Sequence, residues 1–285
     1  MTELYLNGEF LPLEDGRISV EDRGFQFGDG VYEVLRSYQG KIFRLSEHLD
    51  RLERSLAFLQ VPLPEPRERL VAACQRLLSG LGNATIYLQV TRGAAPRAHA
   101  FPADARPTFL AYARPFRPDP ADRTWTLLSL TDDRWAHCDV KTICLLPNAL
   151  AKQKAVQAGC DEALFVREDG TVTEGCTTNA FLARGGMLWT HPANHRILHG
   201  ITRAVVLELA RALRIPVLER MFTLRDVYEA DECFMTGTGI QAMPVLAVDG
   251  RRIGEGTMGP LTRRICNAFD DLVRRELFLR EAARA

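Results

Sequence analysis

Along the first hundred residues, the pattern of apolar and polar positions is that of mixed strand and helix. The run "ELYLNGEFL" places Asn7-Gly8 between two strand-like segments and predicts a hairpin, and "GDGVYEVLRSYQGKIFRL" predicts a second one turning at Gly40. From Ser46 the pattern changes. Leu49, Leu52, Leu56 and Leu59 recur at helical spacing, with Ser46 as expected N-cap and Glu47 in the first turn. A second helix is predicted near Arg67 to Leu81, followed by the strands "ATIYLQVTRG" and "PTFLAYARPF".

The polar run "ARPFRPDPADRT" carries three prolines and marks a linker at about residues 114–123. It divides an N-terminal α/β domain, residues 1–117, from a C-terminal domain, residues 118–285. Beyond it, "DEALFVREDGTVTEG" and "NAFLARGGMLWTH" predict hairpins turning at Asp169-Gly170 and Gly185-Gly186. "GITRAVVLELARALRI" predicts an amphipathic helix, and "DECFMTGTG" a strand leading into "MPVLAVDGRRI". The fold class is α+β.

Composition narrows the function. With 46% hydrophobic and 25% charged residues and a formal net charge of zero, the chain lacks the basic excess that nucleic-acid or membrane-surface binding needs. No secretory signal or apolar span is evident, so a cytoplasmic protein is expected. The seven cysteines include no C-x-x-C pair, which suits a reducing compartment, and they are expected to act as buried small apolar residues.

Charge type is more telling. Of 36 Lys plus Arg, the lysines are Lys41, Lys141, Lys152 and Lys154 alone. Lys141, in "HCDVKTICLL", is flanked by Val140, Ile143, Leu145 and Leu146 and reads as a buried strand end, where desolvation would leave a lysine partly neutral and nucleophilic. The plain alternative is a lysine snorkelling to solvent. Lys152 and Lys154 read as that plain case, on the exposed face of an alanine-rich helix from Asn148.

Other positions carry candidate chemistry. Glu174 in "TVTEGCTTN" is either a solvated turn residue or a carboxylate that holds a heterocycle's nitrogen protonated. "GITRA" opens a helix whose free N–H groups, with the Thr202 hydroxyl, suit an anion. "MTGTGI" offers another hydroxyl and glycine turn, and Arg51 lies on the polar side of the Ser46 helix. His191, His195 and His199 are four apart, but Pro192 argues against the helix that would make them metal ligands, so no metal site is assigned. Together, the lysine, the glutamate and the anion anchors describe a pocket for a phosphorylated carbonyl cofactor.

These motifs resemble a known family. "EDRGFQFGDGVYEV", "CDVKTICLLPNALAKQKA", "DEALFVREDGTVTEGCTTN" and "HPANHRILHGITR" are similar, in matching order, to the fold-type IV pyridoxal-phosphate aminotransferases, and "VTRGAAPRAH" resembles their D-amino-acid branch. The resemblance implies a smaller N-terminal α/β domain and a larger C-terminal pseudo-barrel that binds pyridoxal 5'-phosphate. It implies that Lys141 is the Schiff-base lysine and Glu174 the partner of the pyridine nitrogen. Arg51, Ile201, Thr202 and Thr238 would anchor the phosphate, and Leu198 would lie against the ring. Tyr32, Arg97 and His99 would grip the substrate α-carboxylate, the last two reaching in from the neighbouring subunit of a homodimer. Read without the resemblance, Arg97 and His99 are a solvated loop.

The implied reaction is ping-pong transamination between D-amino acids and 2-oxo acids, with D-alanine and 2-oxoglutarate as the expected pair. Branched-chain L-amino-acid or (R)-amine transamination, an aminodeoxychorismate-type elimination, and a non-catalytic cofactor binder are the alternatives. Cys176-Thr177-Thr178 stands where the family commonly has serines, and "TGTGIQA" has glycines where another hydroxyl could bind phosphate.

Overall fold

The computed structural model describes residues 3–104, 106–120 and 122–279. The chain separates into two compact units: the residues up to Arg117 together with Val140–Cys144, and Pro118–Asp139 together with the residues from Leu145 onward.

The first unit contains β1 (Glu3–Leu6), β2 (Glu9–Pro12), α1 (Arg23–Phe27), β3 (Gly30–Tyr38), β4 (Lys41–Ile42), α2 (Leu45–Leu59), α3 (Arg67–Leu77), β5 (Ala84–Thr91) and β6 (Thr108–Pro115). Its sheet has the order β2-β1-β6-β5-β3-β4, with antiparallel pairing throughout. Both expected hairpins form. Asn7 and Gly8 take φ of 50° and 98°, the left-handed pair that a tight hairpin turn needs. Alternate residues Ile86, Leu88 and Val90 of β5 are fully buried, and Leu49, Leu52 and Leu56 of α2 join them in one core.

Three local readings need correction. Helix α2 begins at Leu45, with Arg44 in the left-handed conformation as its cap, so Ser46 is already helical and its Oγ accepts from Arg67 Nη2 at 2.9 Å. Helix α3 ends at Leu77 rather than Leu81, because the chain turns over Leu78–Gly80, with Gly80 at φ 77°. Arg51 faces the core and is 4% exposed; a buried carboxylate, described below, lets the charge lie there.

Val140–Cys144, assigned from the sequence to the second domain, pair with the first unit. The 30–32 end of β3 has β5 on one edge only, and the other edge takes this segment. Tyr32 N–H donates to Lys141 O (3.0 Å), Ile143 N–H donates to Gly30 O (3.1 Å), and Val31 bridges Thr142. Lys141 is half-buried at the centre of a tight turn, where Thr142 N–H donates to Val140 O at 2.8 Å, rather than at the end of a buried strand.

The second unit contains β7 (Trp125–Thr131), α4 (Leu146–Gln157), β8 (Glu162–Val166), β9 (Thr171–Gly175), β10 (Asn179–Arg184), β11 (Met187–Thr190), α5 (Ile201–Ala212), β12 (Val217–Glu219), β13 (Phe222–Thr223), α6 (Leu224–Tyr228), β14 (Glu232–Gly237), β15 (Gln241–Val248), β16 (Arg251–Arg252) and α7 (Pro260–Arg274). Strands β10-β14-β15-β7-β8-β9 are consecutive neighbours, and β9 pairs again with β10, closing a six-stranded ring. The pairs β15–β7 and β7–β8 are parallel and the rest of the ring is antiparallel. The α+β class and the pseudo-barrel expected from the resemblance are both present.

Side chains from all six ring strands, among them Leu127, Leu164, Val172, Leu182, Met235 and Val245, form one core. Lys152 is half-buried: its Nζ donates to the Asp161 carbonyl and lies 3.8 Å from Glu162 Oε2, so it is not simply solvated. Lys154 is exposed as expected. Of the seven free cysteines only Cys74, Cys176 and Cys233 are buried, and Cys144 is exposed at a loop. Among the described residues no helix is long and apolar enough to cross a membrane.

Candidate active site

The candidate residues of the first unit gather around β3. Tyr32 and Glu33 are adjacent on this strand, so their side chains leave opposite faces of the sheet. The Tyr32 ring stacks on Tyr87, with centroids 5.8 Å apart, and Lys141 Nζ lies 4.2 Å from the Tyr32 ring centroid. The main-chain bond from Tyr32 to Lys141 and a 3.4 Å contact from Lys141 N–H to Ser55 Oγ fix the peptide that carries this amine.

On the other face, Glu33 is fully buried and receives Arg51 as a fork, Nε to Oε1 at 2.7 Å and Nη2 to Oε2 at 2.9 Å, with His48 Nδ1 2.7 Å from Oε2. Burial alone would raise the Glu33 carboxyl, but the Arg51 charge and the bonds from Arg51 and His48 outweigh it and hold Glu33 well below the usual carboxylate range. Burial lowers His48, against the pull of Glu33. Sequence reading missed Glu33 and His48: on alternation alone Glu33 passes for an outward polar residue.

Arg97 and His99 lie together on the exposed loop between β5 and β6. The Arg97 guanidinium is 4.9 Å from the Phe27 ring centroid, and the His99 ring is 5.5 Å from the same ring. Tyr32 has its aromatic contact with Tyr87, not with this pair.

The candidate residues of the second unit gather where the ring closes. Glu174, on β9, is the Cα partner of Asn179, on β10, and Asn179 Nδ2 donates to Glu174 Oε2 at 2.8 Å. Leu198 N–H is shared between the two carboxylate oxygens at 3.1 and 3.0 Å, while Leu198 O accepts from Asn179 Nδ2 at 2.9 Å. Arg134 Nη1 donates to Glu174 Oε1 at 2.6 Å, and its Nε and Nη2 hold Asp132 at 2.9 and 3.0 Å. The guanidinium lies over the Phe165 ring at 4.4 Å. Burial raises the Glu174 carboxyl to about 7, against the lowering pull of Arg134 and the Leu198 amide. Glu174 is therefore not a solvated turn residue. Arg134 and Asn179 were not singled out from sequence, since an arginine in the polar run "TDDRWAH" gives no periodic signal.

Three residues beyond Leu198, helix α5 begins at Ile201 with Gly200 as its cap. The amides of Ile201 and Thr202 belong to the first turn, which has no intrahelical acceptors, and the Thr202 side chain is buried beside them. A Cβ on Gly200 would stand 2.1 Å from Asn179 Oδ1, so this approach requires glycine. Thr238 lies in the turn after β14, half-exposed, and a Cβ at the neighbouring Gly239 would meet nothing within 4 Å. His191, His195 and His199 lie in a loop and not on a helix. His191 Nδ1 is 2.9 Å from Pro192 O, and His199 Nε2 is 3.3 Å from Asn194 O.

Residues 30–248 match the family model described as amino-transferase class IV. This chain belongs to the class-IV aminotransferases. It is 38% identical to a D-alanine aminotransferase of Staphylococcus haemolyticus over 96% of its own length and 98% of the relative's. It is 39% identical to that of Bacillus licheniformis, over 95% and 97%. In fold, this class-IV aminotransferase is similar to a branched-chain amino acid aminotransferase from Thermobaculum terrenum, crystallised in its PLP-bound holo form. There the TM-score is 0.85 and the identity 27%, over 95% of this chain and 93% of the other.

Proposed function

We propose that this class-IV aminotransferase moves amino groups between D-amino acids and 2-oxo acids. D-alanine and 2-oxoglutarate are the expected pair, giving pyruvate and D-glutamate. Class-IV aminotransferases use pyridoxal 5'-phosphate, and the residues present suit it. A carboxylate accepts about four hydrogen bonds. Glu174 takes three donors, from Arg134, Asn179 and the shared Leu198 amide, which leaves capacity for a protonated ring nitrogen. Ile201 and Thr202 at a helix N-terminus, with Thr238, would donate to the cofactor's phosphate, and Arg51 is proposed to join them.

When bound, the cofactor supplies an electron sink for the carbanion formed at the substrate Cα. The chain supplies the rest. Lys141 would hold the cofactor through its Nζ, and the same nitrogen, when free, would take the substrate Cα proton and redeliver it. Glu174, as a carboxylate, keeps the ring nitrogen protonated. Leu198 would lie against the ring. Tyr32, Arg97 and His99 grip the α-carboxylate, which leaves the D enantiomer with its proton toward Lys141.

The observation that carries the D-amino-acid reading is the pairing of Arg97 with His99 on the Phe27 ring, two exposed cationic or hydrogen-bonding side chains presented together. The 38–39% identities to D-alanine aminotransferases support it. In this reading the pair serves the neighbouring protomer of a homodimer. Phe25 and Val20, 79% and 76% exposed on the adjoining segment, offer apolar surface for such an interface.

A branched-chain L-amino-acid transaminase is the second reading, favoured by the fold similarity at a TM-score of 0.85. Absorbance of the holoenzyme separates the two. D-alanine, and not L-leucine, should bleach the band of the lysine-bound cofactor. Bleaching by L-leucine alone would move the function to the branched-chain reading.

A further inference from the structure

The loop segment 92–104 that carries Arg97 and His99 is exposed at its tip, yet its main chain is held from below by one buried arginine. Arg23, the first residue of α1, is 3% exposed. Its Nη1 donates to Ala98 O at 2.5 Å and reaches Ala100 O at 3.5 Å, while Nη2 reaches His99 O at 3.4 Å. These three consecutive carbonyls begin one residue after Arg97. The guanidinium is itself fixed, since Nε donates to Asp29 Oδ2 at 2.8 Å. Asp29 is shared with Arg92 at the root of the loop, through Nε at 2.8 Å and Nη2 at 3.0 Å.

The same short helix supplies the side-chain support. The Arg23 guanidinium lies 4.7 Å from the Phe27 ring centroid, and Arg97 and His99 rest on that ring. The base of the loop is locked by sterics: Gly93 has φ 97°, and a Cβ there would stand 1.8 Å from Arg106 O. Arg23 N–H donates to Gly93 O, and Ala95 N–H to Glu21 O. A guanidinium offers several donors in one rigid plane, so it can set the spacing of neighbouring carbonyls in a way that a lysine cannot.

We infer that Arg23 and Phe27 are positioning residues for substrate recognition, Arg23 by fixing the main chain at 98–100 and Phe27 by seating the Arg97 and His99 side chains. Neither touches substrate. They act by holding in place a carboxylate grip that a free loop would have to order at each binding event. The inference rests on the D-amino-acid reading, through the role given there to Arg97 and His99.

The test is steady-state kinetics of the holoenzyme with D-alanine for wild type, Arg23→Lys, Phe27→Leu, Arg97→Ala and each double variant with Arg97→Ala, together with cofactor affinity and melting temperature. Arg23→Lys keeps a cation beside Asp29 and loses the fork; Phe27→Leu keeps apolar bulk and loses the ring. Each should raise KM for D-alanine about tenfold, with kcat changed less than about twofold. Cofactor affinity and melting temperature should stay near wild type. In the Arg97→Ala background neither change should raise KM much further, because residues acting through one group are not additive.

Equal falls in kcat, cofactor affinity and melting temperature, or additive effects on KM in the double variants, would overturn the inference. So would an unchanged KM in Phe27→Leu and Arg23→Lys while Arg97→Ala raises it. Wild type that turns over L-leucine but not D-alanine would instead overturn the D-amino-acid reading, and the inference with it.

Discussion

Arg134 Nη1 stands 2.6 Å from Glu174 Oε1, and both side chains are buried. A guanidinium at that distance favours the carboxylate and offsets part of the burial that favours the neutral acid. Glu174 is still raised by burial to about 7. The Glu174 carboxyl, proposed to pair with the ring nitrogen, is thus set by two opposing effects, burial and Arg134.

The balance sets a pH dependence. Glu174 titrates near the usual 4.5 when unfolded and at about 7 when folded, so between these values the native state binds more protons than the unfolded chain. Stability from this group is therefore greatest below pH 4.5 and declines as pH rises toward 7. In cofactor-free protein the stability of wild type minus that of Glu174→Gln should fall across this window by roughly 3 kcal/mol at most. Denaturant melts at several pH values check it; a constant difference would remove the argument.

Glu33 has the opposite sign. Held below the usual carboxylate range by Arg51 and His48, it adds stability above its unfolded pKa and loses it on acidification. Glu33→Gln leaves Arg51 buried without its counter-charge, which should cost about 3–5 kcal/mol. If Arg51 serves the phosphate, cofactor affinity should fall as well. Equilibrium unfolding and cofactor titration of the same variant read both effects.

Lys141→Ala should abolish the visible band of the lysine-bound cofactor and transaminase turnover together. Retention of full activity with D-alanine would remove Lys141 from the mechanism. Because Lys141 is half-buried and its segment is held through main-chain bonds, the melting temperature of this variant should change little.

Gly200→Ala tests the junction between helix α5 and the ring. Its backbone, at φ −65°, tolerates alanine, but the new methyl would displace Asn179 from Oδ1 contact and strain the Asn179–Glu174 bond. Overpacking of this kind costs about 1–3 kcal/mol. A melting temperature equal to wild type, with unchanged cofactor affinity, would show that Asn179 moves freely.

Much of this architecture could be read from local pattern. The hairpins at Asn7-Gly8, Asp169-Gly170 and Gly185-Gly186 form because turn chemistry and two-residue alternation agree there. Helix α5 follows from its amphipathic period. Helix α7 carries the same kind of signal, since Leu261, Ile265, Phe269 and Leu272 recur at helical spacing, yet the pattern reading omitted it. The scarcity of lysine singled out Lys141, and a glutamate before a hydroxyl-rich turn singled out Glu174.

What the sequence could not determine depends on contacts far apart along the chain. Alternation makes Glu33 look solvent-facing, whereas the tertiary structure buries it, because Arg51 and His48 arrive from the next helix with three donors. Arg134 and Asn179 became visible only when the six-stranded ring closed and brought β9 against β10. Arg23 looked like one arginine among many until loop segment 92–104 folded back on it. Periodicity reports how each element meets its own surroundings, and it determined the elements here. A buried charge is tolerated only where its partners are delivered, and that delivery belongs to the tertiary fold.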